Sequence, residues 1–300
     1  MLARVIEVLA DRYKVSIIDT NENIFVKSRG KVKKDGYIKV GDIVKLSKQD
    51  AEHIIEKIEN RKNDYIRPPV SNIDYMFVVI AAGNPKPDFL LLDKQLITTE
   101  NNNCKPIIVV NKTDLEDAEK ICSYVENTYG KLGYNVILTN TINENILNEE
   151  AFKDLPQGCL CAFSGNSGVG KSSIINKIKE ENIQLDINSL SRKTGKGRHT
   201  TKATTVYSVL NNENKAIYFL DTPGFSSYEI YNISSKDLKQ YFNEFSNFKC
   251  EYDDCNHINE DIKSCKIKQA VVNGFIDKIR YENYLKIYEE LKQKEKRLYK

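Results

Sequence analysis

Two short motifs occur in an order that restricts the fold more than any other feature of the chain. Asn111-Lys112-Thr113-Asp114, of the form N-K-x-D, comes before Gly165-Asn166-Ser167-Gly168-Val169-Gly170-Lys171-Ser172, of the form G-x-x-x-x-G-K-[ST]. Both belong to nucleotide sites. In an ordinary GTPase the phosphate-binding loop comes first and the guanine-reading N-K-x-D follows. Here each motif is intact and the order is reversed. The order implies a GTPase domain whose chain is circularly permuted, so that the same sheet is threaded from a different starting strand.

The residue types follow from the chemistry. A G-x-x-x-x-G-K-[ST] loop wraps backbone N–H groups around the inner phosphates, and its glycines permit a tight, partly left-handed turn. Lys171 would reach the outer phosphates and Ser172 would put its hydroxyl on magnesium. The apolar run 159–163 reads as a buried strand before the loop, and Ser172-Ser173-Ile174 opens a helix after it. That helix would aim the positive end of its dipole at the phosphates. Asn111-Lys112-Thr113-Asp114 in turn follows Pro106–Val110, apolar enough for a buried parallel strand. The Asp114 carboxylate can accept paired hydrogen bonds from the two N–H groups that guanine presents and adenine lacks. A buried acceptor left unpaired costs about 1–3 kcal/mol, so this residue can select the base.

Two further elements lie downstream. The run Ala216–Leu220 reads as a strand ending in Asp221-Thr222-Pro223-Gly224, a D-x-x-G element. Asp221 would hold magnesium, through water, and the Gly224 N–H would sense the third phosphate. Between this element and the phosphate loop lies Thr194–Lys202, rich in glycine and base, where a switch loop must sit. Thr200 or Thr201 can supply the second magnesium hydroxyl; Thr201 is the assigned ligand beside Ser172 and Asp221. Phe225 follows Gly224, where Ras-like enzymes carry a glutamine that orients the attacking water. A phenyl ring cannot make that hydrogen bond. His199 is the nearby side chain suited to the task and the candidate catalytic residue.

Cysteine spacing marks a second site. Cys250, Cys255, His257 and Cys265 form a C-x4-C-x-H-x7-C cluster. Three thiolates and an imidazole fill a tetrahedral shell, which predicts one structural zinc with no position open for catalysis. Cys104, Cys122, Cys159 and Cys161 fall in or beside predicted strands and helices, as small buried hydrophobes or inert thiols.

The chain divides into three expected segments. Residues 1–67 hold five short alternating runs separated by glycine and Asx turns, including one over 37–46 in which Gly41-Asp42 looks like a tight turn, and this fits a small Greek-key barrel of the OB-fold type. Residues 68–225 alternate strands and helices, an α/β domain with a mostly parallel sheet; the strands are expected near 73–82, 106–110, 135–139, 159–163 and 216–220, with helices near 87–101 and 115–129. Residues 226–300 are expected to be helical around the cysteine cluster. There Tyr281, Tyr284, Leu285, Tyr288 and Leu291 recur at helical spacing and read as core. No run approaches the ~20 apolar residues of a membrane helix, and Glu7 and Asp11 interrupt the first apolar stretch, so a secretory signal is not expected. The reading is a cytoplasmic protein with reduced thiols. The net charge of +3 is unevenly spread: residues 1–70 hold 15 Lys/Arg against 11 Asp/Glu, and residues 192–202 hold five Lys/Arg and no acid. Both stretches are compatible with a polyanionic partner or with a solvated face.

As a set, these residues resemble the small-subunit ribosome-biogenesis GTPase A (RsgA) family over nearly the whole chain. The features in common are the leading barrel, N-K-x-D before the phosphate loop, the basic G-x-G-x-H-T-T switch, D-T-P-G-F and the cysteine–histidine cluster. The resemblance implies an N-terminal OB-fold that binds RNA, a permuted GTPase acting with Mg2+, and a C-terminal zinc domain that docks on the ribosome. It further implies GTP hydrolysis to GDP in late maturation of the small ribosomal subunit, stimulated by that subunit and its rRNA, by a monomer with no membrane contact. His199 maps to the histidine proposed in that family to stand in for glutamine. One loop departs: a Ser-Ala-like pair that usually supports guanine reads Thr139-Asn140-Thr141 here, with Asn140 as the polar contact. Two other classes share part of the pattern, an RNA-binding module with a decayed nucleotide site and a P-loop ATPase or kinase. Intact Lys171, Ser172 and Asp221 argue against the first, and Asp114 against the second.

Overall fold

Alternating apolar residues near the start of the chain produce five strands: β1 (Leu2–Val8), β2 (Tyr13–Ile17), β3 (Asn23–Ser28), β4 (Ile43–Gln49) and β5 (Glu52–Ile58). The computed structural model describes residues 1–30, 32, 37–49, 52–141, 152, 154–182, 204–213, 215–221, 230 and 232–298. The strands close into a barrel in the order β1-β2-β3-β5-β4. Its ladders are antiparallel except β3 with β5, which run parallel and complete the circle. Ala3, Val5, Val15, Val26, Val44, Leu46 and Ile55 face inward and fill it. Closure leaves no open sheet edge.

The expected fourth run reached back to Tyr37, but β4 begins at Ile43. The cause is a turn at Gly41-Asp42. Gly41 has φ +92°, and a Cβ there would lie 2.0 Å from the Ser71 carbonyl oxygen. The fully buried Asp42 carboxylate accepts from the Lys39 N–H (2.8 Å), Ser71 Oγ (2.6 Å) and Arg61 Nε (2.7 Å). The residues before β4 thus fasten the barrel to the segment that leads into the next domain.

That domain is a six-stranded sheet of β6 (Tyr75–Ala81), β7 (Lys105–Asn111), β8 (Asn135–Leu138), β9 (Leu160–Ser164), β10 (Thr205–Leu210) and β11 (Ala216–Asp221). Helices α1 (Phe89–Asn101), α2 (Ala118–Thr128) and α3 (Lys171–Asn182) accompany it. The central strands are buried almost throughout because both faces are covered. Alternation along β6 shows this: Met76, Val78 and Ile80 join one core layer, and Phe77, Val79 and Ala81 the other. The spatial order is β10-β11-β9-β6-β7-β8, antiparallel only between β10 and β11. Counted from β9 as the first strand, with β6–β8 moved behind β11, this reads 2-3-1-4-5-6. It is a doubly wound sheet whose chain has been opened before β6. Ligands in such sheets sit beyond the carboxyl ends of the strands where the winding reverses, here beside β9 and β6.

The remainder carries α4 (Lys266–Val272) and α5 (Lys278–Leu298), plus 3-10 turns at Leu238–Tyr241 and Asn243–Asn247. The cysteine–histidine cluster lies in the non-helical stretch before α4, so this segment is less helical than expected. Tyr284 and Leu291 are buried with Phe242 and Phe245, and Tyr281, Leu285 and Tyr288 pack against them, so the aromatic stripe is core. Arg280 of α5 ties this core to α1. Its Nε and Nη2 donate to the two Glu244 carboxylate oxygens (2.9 and 3.0 Å), and Nη1 donates to Asp93 Oδ1.

Candidate nucleotide site and metal centre

The phosphate loop leaves β9 where the sheet winding reverses. Gly165 has φ +139°, and a Cβ there would lie 2.2 Å from the Val79 carbonyl oxygen of β6. Only glycine lets the loop pass that close to the neighbouring strand. Asn166, Ser167 and Gly168 are exposed, whereas Val169 is buried in the core under the sheet. This one apolar side chain pins the loop from within. Lys171 begins α3, and the Ile174 N–H bonds the Gly170 carbonyl (3.0 Å) in its first turn. Lys171 Nζ donates to the carbonyls of Gly165 (2.6 Å) and Asn166 (2.7 Å). The ammonium therefore lies across the mouth of the loop, half-buried, and burial lowers its pKa. Ser172 and Ser173 are exposed on the first turn of α3.

The N-K-x-D segment is physically joined to this loop. Asn111 ends β7, is fully buried, and donates from Nδ2 to the Val169 carbonyl at 2.8 Å. Gly170, at φ +98°, passes so close that a Cβ there would sit 2.1 Å from Asn111 Nδ2. Lys112 takes a left-handed φ of +64° and extends over the neighbouring loop to donate to the Asn84 carbonyl. Thr113 donates from its N–H (3.3 Å) and its hydroxyl (3.2 Å) to the Thr139 carbonyl after β8. Asp114 follows with its side chain exposed, and Asn140 is buried beside this junction. Three loops at the carboxyl ends of β9, β7 and β8 are thus linked in series.

Asp221 is the last residue of β11, which runs parallel to β9 with Tyr218 beside Leu160 and Phe219 beside Cys161. The backbone of Asp221 therefore emerges at the same end of the sheet as the phosphate loop. His199, Thr200, Thr201, Gly224 and Phe225, with the basic Lys193, Lys196 and Arg198, lie outside the described residues. Val169 was expected simply as one residue of the nucleotide-binding loop, yet its burial and its carbonyl also hold the motifs together. Sequence reasoning missed one contributor to the site. Thr139 was noted only as a departure, yet its carbonyl receives both Thr113 bonds; its place after an apolar strand was the available signal.

In the C-terminal segment Cys250, Cys255, His257 and Cys265 converge. His257 Nδ1 lies 3.6, 3.2 and 3.6 Å from the Cys250, Cys255 and Cys265 sulfurs, and the Cys250 and Cys265 sulfurs are 3.9 Å apart. All four ligand atoms lie within 4.8 Å of one another, a set that can hold a metal ion. His257 adopts φ +62°, which turns its ring toward the sulfurs. The backbone around it is held by Tyr281 OH on the His257 carbonyl (2.7 Å) and Tyr284 OH on the Asn256 carbonyl (2.7 Å). Glu260 accepts from the Asn256 and Ile258 N–H groups (2.8 and 2.7 Å). Burial lowers the imidazole pKa to about 4, which leaves a nitrogen lone pair free to ligate at neutral pH. Among the described residues no helix is long and apolar enough to cross a membrane.

Comparison with known proteins agrees with this architecture. A family profile described as RsgA GTPase matches residues 58–231. The chain is 39% identical over 279 residues to the small ribosomal subunit biogenesis GTPase RsgA of Caldanaerobacter subterraneus subsp. tengcongensis, covering 91% of this chain and 90% of that protein. It is 37% identical over 301 residues to the RsgA of Clostridium botulinum, covering 99% of each. Among solved structures it resembles YjeQ from Thermotoga maritima, with TM-score 0.79, 32% identity and coverage of 97% and 98%. It also resembles YloQ, described as a circularly permuted GTPase, with TM-score 0.76, 28% identity and coverage of 98% and 95%. With its reversed motifs brought together on one sheet and its likeness spanning nearly the full length, the chain belongs to the RsgA GTPase family and is a circularly permuted GTP hydrolase.

Proposed function

We propose that this GTPase acts in late maturation of the small ribosomal subunit, binds that subunit and its rRNA, and is stimulated by it. The observation that carries the nucleotide chemistry is the 2.8 Å bond from Asn111 to the Val169 carbonyl. It couples the base-reading segment to the phosphate loop despite the reversed chain order, as a single nucleotide spanning both would require. On this reading Asp114 selects guanine, with Asn111, Lys112, Thr113 and Asn140 around the base. Gly165 to Ser173 surround the phosphates, and Lys171 exchanges its two loop carbonyls for phosphate oxygens. Ser172, Thr201 (or Thr200) and Asp221 would hold magnesium, which when bound neutralises charge on the outer phosphates. The Gly224 N–H would sense the third phosphate, and His199 would orient the water. Residues 1–67 would serve as the RNA-binding barrel, 68–225 as the GTPase domain and 226–300 as a zinc domain.

The zinc assignment rests on the donor set and its spacing. Tetrahedral bonds of about 2.3 Å to sulfur and about 2.0–2.1 Å to nitrogen put S···S near 3.8 Å and S···N near 3.5 Å. The Cys250–Cys265 separation of 3.9 Å and the three sulfur–nitrogen separations of 3.2–3.6 Å lie near these values, and all four atoms fall within 4.8 Å of one another. All four positions are protein ligands, so the ion would be structural. The deciding experiment measures phosphate release from GTP by purified protein, with and without purified small subunits, alongside competition of GTP against ATP for binding. The expected result is preference for GTP and a rate raised by the subunit. A rate indifferent to the subunit, with no co-sedimentation at low salt, would leave a GTPase without this partner.

A further inference from the structure

At the opposite end of the sheet, where the barrel meets the amino ends of β6, β7 and β9, lies a cleft of about 350 Å³. Arg4 of β1, Lys62 of the connecting segment, Asp74 and Tyr75 at the start of β6, Lys105 at the start of β7 and Cys159 before β9 line it. No single chain segment could build this site; it exists because the barrel is docked on the sheet.

The charge in the cleft is unbalanced. Arg4 is 8% exposed. Its Nη2 donates to the Gly158 carbonyl (2.8 Å), its guanidinium faces the Tyr218 ring (5.7 Å), and Asp74 Oδ2 is 4.0 Å away. Its Nη1 has no hydrogen-bond partner among the described residues. Asp74 is already engaged: Oδ1 takes Lys62 Nζ (3.2 Å) and Oδ2 takes the Leu160 N–H (2.9 Å). Lys105 has no ion pair among the described residues, and its Nζ stands 5.9 Å from the centre of the Tyr75 ring. Three cations therefore line the cleft with one carboxylate, which faces Arg4 and Lys62 only. Burial pulls the Arg4 guanidinium below its ordinary pKa, and the Asp74 charge opposes that pull only in part. An incompletely paired buried guanidinium is costly, and an oxyanion held beside it in the cleft would offset part of that cost through its charge.

We infer that this seam is a binding site for a phosphate group, inorganic or at the end of a small ester, held at depth by Arg4 and at the mouth by Lys62 and Lys105. Arg4 supplies a fixed positive charge at the floor of the cleft, and the two lysines add mobile ammonium donors at its mouth. A cleft of this size has room for the organic part of a small ester beyond the anion. The group would pin the barrel to the sheet without touching the nucleotide loop.

The test is calorimetric titration of the full chain, with GDP and magnesium saturating the nucleotide site, using inorganic phosphate and glycerol 3-phosphate against chloride at equal ionic strength. We expect saturable binding. Lys62→Ala and Lys105→Ala, both at the mouth, should each weaken it about tenfold, as expected for one lost charge-assisted contact. Asp74→Asn should tighten it severalfold, because the amide removes the competing charge while its oxygen can still accept the Leu160 N–H. Tighter binding of glycerol 3-phosphate than of phosphate would identify an ester as the occupant; equal or weaker binding would identify the free anion. The opposite signs separate a binding role from damage to the fold, which would weaken binding in every variant. No saturable binding, or affinity unchanged in all three variants, would overturn the inference and assign any residual phosphate to the nucleotide site.

Discussion

Replacing Arg280 with methionine should destabilise the C-terminal domain more than removal of any single apolar contact around it. Arg280 is 2% exposed and is clasped between the Phe242 and Tyr129 rings, 4.7 and 5.1 Å from its guanidinium carbon. It serves two buried carboxylates, Glu244 with both oxygens and Asp93 with one. Asp93 also accepts from Asn283 (2.7 Å) and Tyr129 OH (3.1 Å), so it keeps partial hydrogen bonding when Arg280 is lost, but no countercharge. Methionine fills much of the space and leaves two carboxylates in a low-dielectric core. Breaking a buried pair in this way costs about 3–5 kcal/mol. Burial already raises the Asp93 pKa even with Arg280 present. Without the cation it must rise further. A carboxylate whose folded pKa is raised above its unfolded value of about 4 loses stability as pH climbs through that interval and recovers it on acidification. The Arg280→Met penalty should therefore be large at pH 8 and shrink toward pH 5. Adding Asp93→Asn and Glu244→Gln to Arg280→Met should recover most of the loss, because no buried charge remains. The chain has no tryptophan, so urea unfolding is followed by far-UV circular dichroism. An Arg280→Met protein within about 1 kcal/mol of wild type at pH 8, or a penalty independent of pH, would refute the reasoning.

Further outcomes follow from the two sites. Asp114→Asn should weaken GTP binding about tenfold or more and erase the preference over ATP, measured by competition, since an amide would point N–H groups at the guanine donors. Gly170→Ala should abolish nucleotide binding in the same assay while the barrel remains folded, because the added Cβ has a φ of +98° and a contact of 2.1 Å with Asn111 against it. His199→Ala should lower turnover by about 10²–10⁴ with little change in affinity, and equal stimulated rates in the two proteins would remove the histidine from the mechanism. Protein purified without chelator should contain one zinc per chain by elemental analysis, and chelation should first raise hydrogen exchange around Tyr281 and Tyr284, whose hydroxyls grip the backbone at the cluster.

The parts legible in the sequence were those set by local pattern. Period-two alternation gave the barrel strands, continuous apolar runs gave β6, β7, β9 and β11, and glycine-rich spacing gave the phosphate loop. β10 was not foreseen, because Thr205-Val206-Tyr207-Ser208-Val209-Leu210 is short and mixed, and its strand character comes from a six-residue register with β11. The Gly41-Asp42 turn was noticed but not its reach. Asp42 is buried by Arg61 and Ser71, partners from another segment that no local pattern marks. The same holds for Arg280, which reads in sequence as one more charge on a Lys/Glu-rich helix. Motif order revealed the permutation, but the Asn111–Val169 bond that makes the permuted site a single unit is a long-range contact.

Opening the sheet before β6 also changes what lies downstream of the nucleotide-sensing element. In the unpermuted order, the strand carrying D-x-x-G is followed by another strand of the same sheet, so both flanks of that element are anchored in one rigid layer. Here β11 ends at Asp221 and is, among the described residues, the last strand of the sheet in chain order. By Ile230 the chain is buried in the C-terminal core with Leu238 and Phe242. The chain is therefore anchored in the sheet at Asp221 and in the cysteine-bearing body at Ile230. If Gly224 senses the third phosphate, as proposed above, gain or loss of that phosphate would be felt directly by the cysteine-bearing body, and the buried clasp of Arg280 on α1 would supply the pivot.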